Sequence, residues 1–362
     1  MQKRTLVIRP LTPIHIGCDE ALSPTIDFLW QNGKVFILDK VKFEDEIERR
    51  GLSPKFFSFI SEGRSKRLAD FLKEWNILLP IKEEIEAPLE IRDTFLRFIH
   101  TENKPYIPGS SIKGAVRTAI LFWIYERDPE AKKKLLRRYN NWRKAKEAFE
   151  RETRLSLLFG PDSWHNAMRN LAITDSLSVK NVVKQIINVK RISLIKKEVV
   201  IPSALEVVLP GTASEHGIRI GLAKEILEQS HPEFSFLGEG NFGKLVKIVN
   251  YFSLKVAERE RGRWQGIKKE VTEFYSKLCD KIKSASLGTN TIYLRFGSHK
   301  TFFDQTLALI LQRQLSQREW TEFVRRITPR DKKPADLNNF PTTEWVTADY
   351  QVLGWIEGTI LP

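Results

Sequence analysis

Cysteine is almost absent from this chain. Cys18 and Cys279 are the only two in 362 residues, which excludes a disulfide framework and a cysteine-rich zinc site and leaves small buried thiols in a reducing compartment as the expectation. Long apolar runs are missing too. The longest, AILFWIY at 119–125, falls far short of the roughly 20 residues a membrane-spanning helix needs. The opening MQKRTLVIRP turns polar too soon for a secretory signal, so a cytoplasmic protein without a membrane partner is expected. The six histidines (His15, His100, His165, His216, His231 and His299) show no H-x-x-x-H or H-E-x-x-H pairing. No G-x-S-x-G elbow occurs either, so neither metal-dependent nor serine-hydrolase chemistry has a footing. No metal and no cofactor are expected.

Two glycine patterns suggest nucleotide binding and fail on context. Gly109 and Gly114 have phosphate-loop spacing, but Ala115 and Val116 stand where Lys and Ser/Thr are required. GEGNFGKLV at 238–246 has the spacing of a kinase glycine loop, yet no V-A-I-K-like strand, H-R-D or D-F-G follows. It reads as a turn leading into a helix. Asp27, Asp39, Asp93 and Asp175 fall near the ends of expected strands, but sequence alone does not bring them together.

What is abundant is positive charge. Lys and Arg number 59 against 45 Asp and Glu, a net charge of +14, which makes polyanions the natural class of partner. Hydrophobic residues at 41% and charged residues at 29% fit a soluble folded chain. Branched apolar alternation predicts strands at TLVIRPLTPIHIG, KVFILD, LEIRDTFLRFI, AITDSLSV, VVKQIINVKRISL, SALEVVLPG, HGIRIGLA, TIYLRFG and, interrupted by Gly354, YQVLGWIEGTI. Helices are predicted from 42 to a stop at Gly51, within 54–86, over 110–126, 131–154 and roughly 240–284, and in FFDQTLALILQRQL. Strands at both ends with helices between predict an α+β fold.

The most pointed stretch is PYIPGSSIKGAVRT at 105–118. It predicts a helix start capped by Ser110 or Ser111, with Lys113 and Arg117 four residues apart on one face, a combination that attracts anions. Glycine turns at 17, 109, 114, 297 and 354 allow a phosphodiester backbone to approach. Phe36, Phe296 and Phe302 are the aromatics placed to stack on bases. For each aromatic the competing expectation is a core position, and for each charge a solvated face.

LTPIHIG at 11–17, YIPGSSIKGAVRTAIL at 106–121, LRFGSHKTFFDQT and VLGWIEG occur in an order that resembles a RAMP-superfamily CRISPR-associated protein. The long opening and the LGWIEG ending resemble, within it, the capping backbone subunit of type III-A (Csm) effector complexes. The resemblance implies two ferredoxin-like (RRM-like) halves with long helical insertions, divided as 1–170 and 171–362. It also implies a non-catalytic crRNA-binding subunit at the 3′-end side of the complex, supporting crRNA 3′-end maturation and antiviral defence. Its implied partners are crRNA, the adjacent repeating backbone subunit, the small subunit and recruited host nucleases. The RNA-binding residues expected on this basis are His15, Gly17, Gly109, Ser110, Ser111, Lys113, Gly114, Arg117, Gly297, Ser298 and Lys300. The FGSHK loop is poorer in glycine than those of some relatives, which weakens the RNA reading of that segment. Asp27 falls where related repeating subunits carry a cleaving aspartate and is read as structural or vestigial. The alternatives are a metal-dependent ribonuclease, or the repeating subunit itself, cutting with Asp27.

Overall fold

The structure, a computed structural model, describes residues 2–62, 67–140, 157–162, 164–176, 183–211, 218–223, 230–285, 288–328 and 340–362. The expected continuation of the basic helix through 154, the strand residues 177–179 and His216 lie outside the described residues. In chain order the first elements are β1 (Gln2–Pro10), β2 (Gly17–Leu22), β3 (Phe28–Gln31), β4 (Lys34–Leu38), α1 (Lys40–Arg49), α2 (Ser53–Ser61) and α3 (Leu68–Glu74). Next come β5 (Ile81–Glu86), β6 (Phe95–Phe98), β7 (His100–Thr101), β8 (Lys104–Pro105), α4 (Gly109–Arg127) and α5 (Pro129–Asn140). Then follow β9 (Leu171–Ile173), β10 (Lys184–Ser193), β11 (Val199–Val208), β12 (Ile218–Leu222), α6 (Ser235–Gly238), α7 (Phe242–Trp264) and α8 (Lys269–Ala285). The last are β13 (Thr291–Arg295), α9 (Ala308–Gln314), α10 (Gln317–Ile327), β14 (Thr343–Thr347) and β15 (Trp355–Leu361).

A five-stranded antiparallel sheet, ordered β13-β15-β1-β12-β9, organises the molecule. Leu6 and Ile8 of β1 are fully buried while Arg9 between β1's inward positions is exposed, the alternation its sequence predicts. Taken without β15, the succession β1, α4, β9, β12, α7, β13 is the β-α-β-β-α-β of a ferredoxin-like unit, with the final strand slotted between β13 and β1. Helices α4 and α7 cover one face and meet through Phe122 and Phe252, whose ring centres are 5.1 Å apart. Residues 119–125 of α4 are all buried, as an all-round apolar helix must be. The fold is thus α+β and ferredoxin-like, as expected. Its strands come from both sides of residue 170, where sequence texture divides the chain.

A second sheet, ordered β2-β6-β11-β10-β5-β4-β3 with β14 added on β10, is built from segments inserted between β1 and α4 and between β9 and β12. Helices α1 to α3 attach to it around Phe43, Phe59 and Phe71. Asn241 caps α7 by accepting from the Lys244 N–H at 2.9 Å, so the kinase-like glycine cluster is the helix-entry turn its context indicated.

Several elements differ from the sequence reading, the unpredicted β2, β3, β7, β8 and α10 among them. Residues 81–86 form a strand rather than helix, because pairing with β4 and the contact of Lys34 with Glu84 and Glu86 override the helix preference of IKEEIE. Strand β6 covers only the last residues of LEIRDTFLRFI. Helix α9 begins at Ala308, not at Phe302, because Asp304 turns back to accept from the Thr301 N–H at 2.8 Å and to pair with Arg295. The unforeseen β14 carries Glu344 into the same buried cluster.

That cluster consists of Arg295, Asp304, Glu344, Arg263, Glu260 and Arg259. Arg295 donates to Asp304 at 3.0 Å, to Glu344 at 3.4 Å and to the Leu353 carbonyl at 2.8 Å. Arg263 reaches Glu260 at 2.7 Å and Glu344 at 3.3 Å. Burial, reinforced by the neighbouring Glu260, pushes the Glu344 carboxyl up to about 8, against about 4.3 for a solvated glutamate. A carboxyl raised in the folded state contributes stability that is fully present below the unfolded value and lost as pH rises to the folded one. The parent should therefore lose stability relative to Glu344→Gln between about pH 4.5 and about pH 8. Urea midpoints measured across that range test this, and a constant offset between the two proteins would refute it.

Candidate nucleic-acid interface

Because β1, β9 and β13 run in the same direction, their C-terminal ends lie along one rim of the five-stranded sheet. The three segments that leave those ends, residues 11–17, 174–176 and 296–300, hold most of the predicted site. With strands about 4.8 Å apart, four steps from β13 to β9 make the rim roughly 19 Å long.

At one end the loop after β13 docks on His15. Gly297 has φ +90°, and a Cβ there would stand 2.5 Å from the His15 carbonyl oxygen, so this close approach requires glycine. The Ser298 N–H donates to that carbonyl at 2.9 Å. The His15 Nδ1–H donates to the Glu206 carbonyl at 2.7 Å, leaving buried Nε2 without a partner and beside Gly17. Burial lowers the His15 value and brings His299 down to about 4, with His15 adding to the effect, so both rings are neutral at physiological pH. Their centroids are 5.7 Å apart, and His299 packs edge-on to Trp345 at 4.9 Å. Lys300 is half-buried, which lowers its ammonium below the ordinary value. Residues His15, Gly17, Gly297, Ser298 and Lys300 are therefore brought together.

At the other end α4 starts against the segment after β9. The serines do not cap it. The N-cap is Pro108, and the Gly109 N–H donates to the Asp175 carboxylate at 2.7 Å, so an acid from a distant segment takes the role expected of Ser110 or Ser111. Ile107 and Ser176 exchange two further bonds, at 2.7 and 2.9 Å. Backbone is so close that a Cβ at Gly109 would lie 2.3 Å from the Ile173 carbonyl oxygen. From this junction to Tyr125, α4 is buried except for Ser110, Ser111, Lys113, Gly114 and Arg117, four of which (110, 113, 114, 117) form one helical stripe. Nothing would obstruct a side chain at Gly114. Lys113 and Arg117 have no carboxylate partner among the described residues. Burial lowers both, and Arg117 stacks on Phe159 at 4.8 Å with its Nε unsatisfied. Two partly desolvated cations without counter-charge favour an anion beside them.

Asp27 stands apart from the rim. It is buried, its Oδ2 accepts from the Ser23 N–H at 2.7 Å, and Lys40 Nζ lies 2.6 Å from Oδ1, outside hydrogen-bond angles. Of the aromatics expected to stack on bases, Phe296 is fully buried in the core and Phe302 packs on Phe340 and Phe303, while Phe36 is half-exposed. Asp175 and His299 belong to the site and were not expected there. Asp175 carried the signal of an acid just past a strand end; His299 offered only its place in FGSHK.

A profile described as the RAMP superfamily matches residues 7–301. The CRISPR system Cms protein Csm5 of Methanocaldococcus jannaschii is 27% identical over 381 residues, covering 97% of this chain and 87% of that protein. Csm5 of Streptococcus thermophilus is 31% identical over 137 residues, 32% of this chain and 37% of that protein. Among solved structures, a chain of the type III-A Csm–crRNA–target RNA ternary complex superposes with TM-score 0.77 at 20% identity, covering 99% of this chain and 100% of that one. The crystal structure of T. onnurineus Csm5 superposes with TM-score 0.69 at 19% identity, over 97% and 99%. With the matched region reaching from β1 to the loop that docks on His15, this chain belongs to the RAMP superfamily.

Proposed function

We propose that this chain is a non-catalytic crRNA-binding subunit that caps the 3′-end side of a type III-A CRISPR effector complex. The observation that carries the reading is the uncompensated stripe of Lys113 and Arg117 at the start of α4, on the rim where three parallel strand ends meet. The Csm5 relatives and the similar fold of a chain in a Csm–crRNA–target RNA complex support it. The RNA backbone would run along the rim from Lys113 and Arg117 to Gly297, Ser298 and Lys300. Asp175 already holds the Gly109 N–H, so the phosphate falls to the lysine and arginine rather than to the first amide of the helix. Neutral His15 and His299 add no competing charge and keep the docked loop closely packed. The adjacent repeating subunit, the small subunit and recruited host nucleases complete the proposed set of partners, and the protein acts in the cytoplasm to support crRNA 3′-end maturation.

Binding on this basis is backbone-dominated and nearly indifferent to sequence. Lys113→Ala should weaken crRNA binding and Lys113→Glu should weaken it more. The log–log salt slope should fall by about 0.7, one single-strand phosphate's worth, with the melting temperature unchanged. Filter binding across a salt series reads the affinities and the slope, and thermal denaturation reads the melting temperature. Parent-like binding by both variants, together with lower melting temperatures, would instead make the stretch a structural junction only.

The purified chain should leave labelled RNA intact with Mg²⁺ or Mn²⁺. Asp27 is engaged by Ser23 and Lys40, so Asp27→Ala should cost stability, on the order of 1–3 kcal/mol for a buried partner left unsatisfied, without changing RNA integrity. Cleavage that disappears in Asp27→Ala would reverse the assignment and make the chain a ribonuclease.

A further inference from the structure

The edge strand β2 is irregular where it leaves the rim. Gly17 pairs with Phe98 and Ala21 with Leu96, so three residues of β2 (Cys18, Asp19 and Glu20) stand against one of β6 (Arg97), and Asp19 within the bulge has φ +62°. The bulge places Cys18 and Glu20 beside His100, two residues past the end of β6. One ligand atom from each of these three side chains lies within 4.8 Å of the other two. His100 Nε2 is 3.7 Å from Glu20 Oε2.

The imidazole is already oriented. His100 Nδ1 lies 2.8 Å from the Phe98 carbonyl and donates its proton there, which leaves Nε2 as the bare lone pair facing Glu20. A ring nitrogen tied to a carbonyl while the other faces outward is the arrangement that accompanies histidine ligation of metals. The Cys18 Sγ lies 3.8 Å from both the Arg97 and Phe98 carbonyls, which accept from a thiol but would repel a thiolate unless a cation sat beside it. Cys18 and His100 are half-buried and Glu20 is exposed, so the site is reachable from solvent and its most mobile ligand is the outermost one.

We infer that Cys18, Glu20 and His100 form a binding site for a zinc-like divalent cation, with the fourth position open to water. Thiolate, imidazole and carboxylate together suit a borderline-soft, tetrahedral ion and not Mg²⁺ or Ca²⁺, which select oxygen ligands. Tetrahedral zinc with bonds of about 2.0–2.3 Å sets its ligands about 3.3–3.7 Å apart, a contraction within reach of side-chain rotation by exposed Glu20. Binding releases the thiol proton to solvent and leaves no redox change. The ion would fasten the edge strand to the chain beyond β6, immediately after His15 and Gly17. The site does not require the RNA reading to be correct.

The test uses the full untagged chain, stripped with chelator and titrated with Co²⁺ as a spectroscopic probe. The thiolate-to-cobalt charge-transfer band and the visible bands of a tetrahedral site should appear and saturate at one equivalent. They should be lost in Cys18→Ser and shifted or weakened in His100→Gln, but kept in Cys279→Ser, whose thiol is fully buried elsewhere. Stoichiometric Zn²⁺ should bleach the bands and raise the melting temperature of the parent but not of Cys18→Ser. Absence of a charge-transfer band in the folded parent, or its survival in Cys18→Ser, would overturn the assignment. Circular dichroism of each variant establishes that it is folded, and His100→Gln supplies the answer if Cys18→Ser is not.

Discussion

The antiparallel pairing of β1 with β12 on one side and β15 on the other is the constraint on which the rest of the molecule depends. Leu6 lies opposite both Ile218 and Ile360, so the first strand is fixed by partners more than 200 positions away. That double pairing sets the direction of β1 and, through β12 and β15, the directions of β9 and β13. The shared rim is a consequence. If any one of these strands ran the other way, its loop would leave the opposite end of the sheet, and His15, Gly297 and the start of α4 would no longer share one side.

Around the rim, the protein's electrostatics divide into two kinds. Arg295, Arg263 and Arg259 are buried among Glu260, Glu344 and Asp304, each with a carboxyl partner, and this group anchors the loop that docks on His15. Lys113 and Arg117 are not compensated by any carboxylate among the described residues. Buried charge is tolerable only when paired, so the first group is structural, whereas a half-buried cation without a partner is what an external anion completes. Asp175 sharpens the contrast. It neutralises the helix end locally and leaves the lysine and arginine as the sites of excess charge.

Much of this was legible in the sequence. The buried faces of β1 and α4, the stop after α1 at Gly51, the turn into α7 and the turn glycines Gly297 and Gly354 follow from short-range patterns that periodicity and backbone chemistry report directly. What was hidden was hidden by distance. No local rule says that Asp175 rather than Ser110 should satisfy the start of α4, since the two segments meet only after β9 joins the sheet. Phe296 looked like a base-stacking candidate because an aromatic before a glycine turn is ambiguous until its surroundings are known, and the core claims it. IKEEIE looked helical because the partner strand that makes its acids useful lies more than 40 residues earlier. Cys18, Glu20 and His100 were passed over for the same reason, their spacing being set by a bulge and a strand pair.

The insertion of β15 between β13 and β1 also bears on how the chain is made. During synthesis β1 leaves the ribosome long before residues 355–361, and the hydrogen-bonding edge it offers them stays unsatisfied until they emerge. In the interval between them the nascent chain carries an open strand edge with Leu6 and Ile8 nearby, the kind of surface that invites mispairing. Closure of the sheet has to await residues 355–361, and a chaperone that shields β1 until then would act at the point where this fold is most exposed.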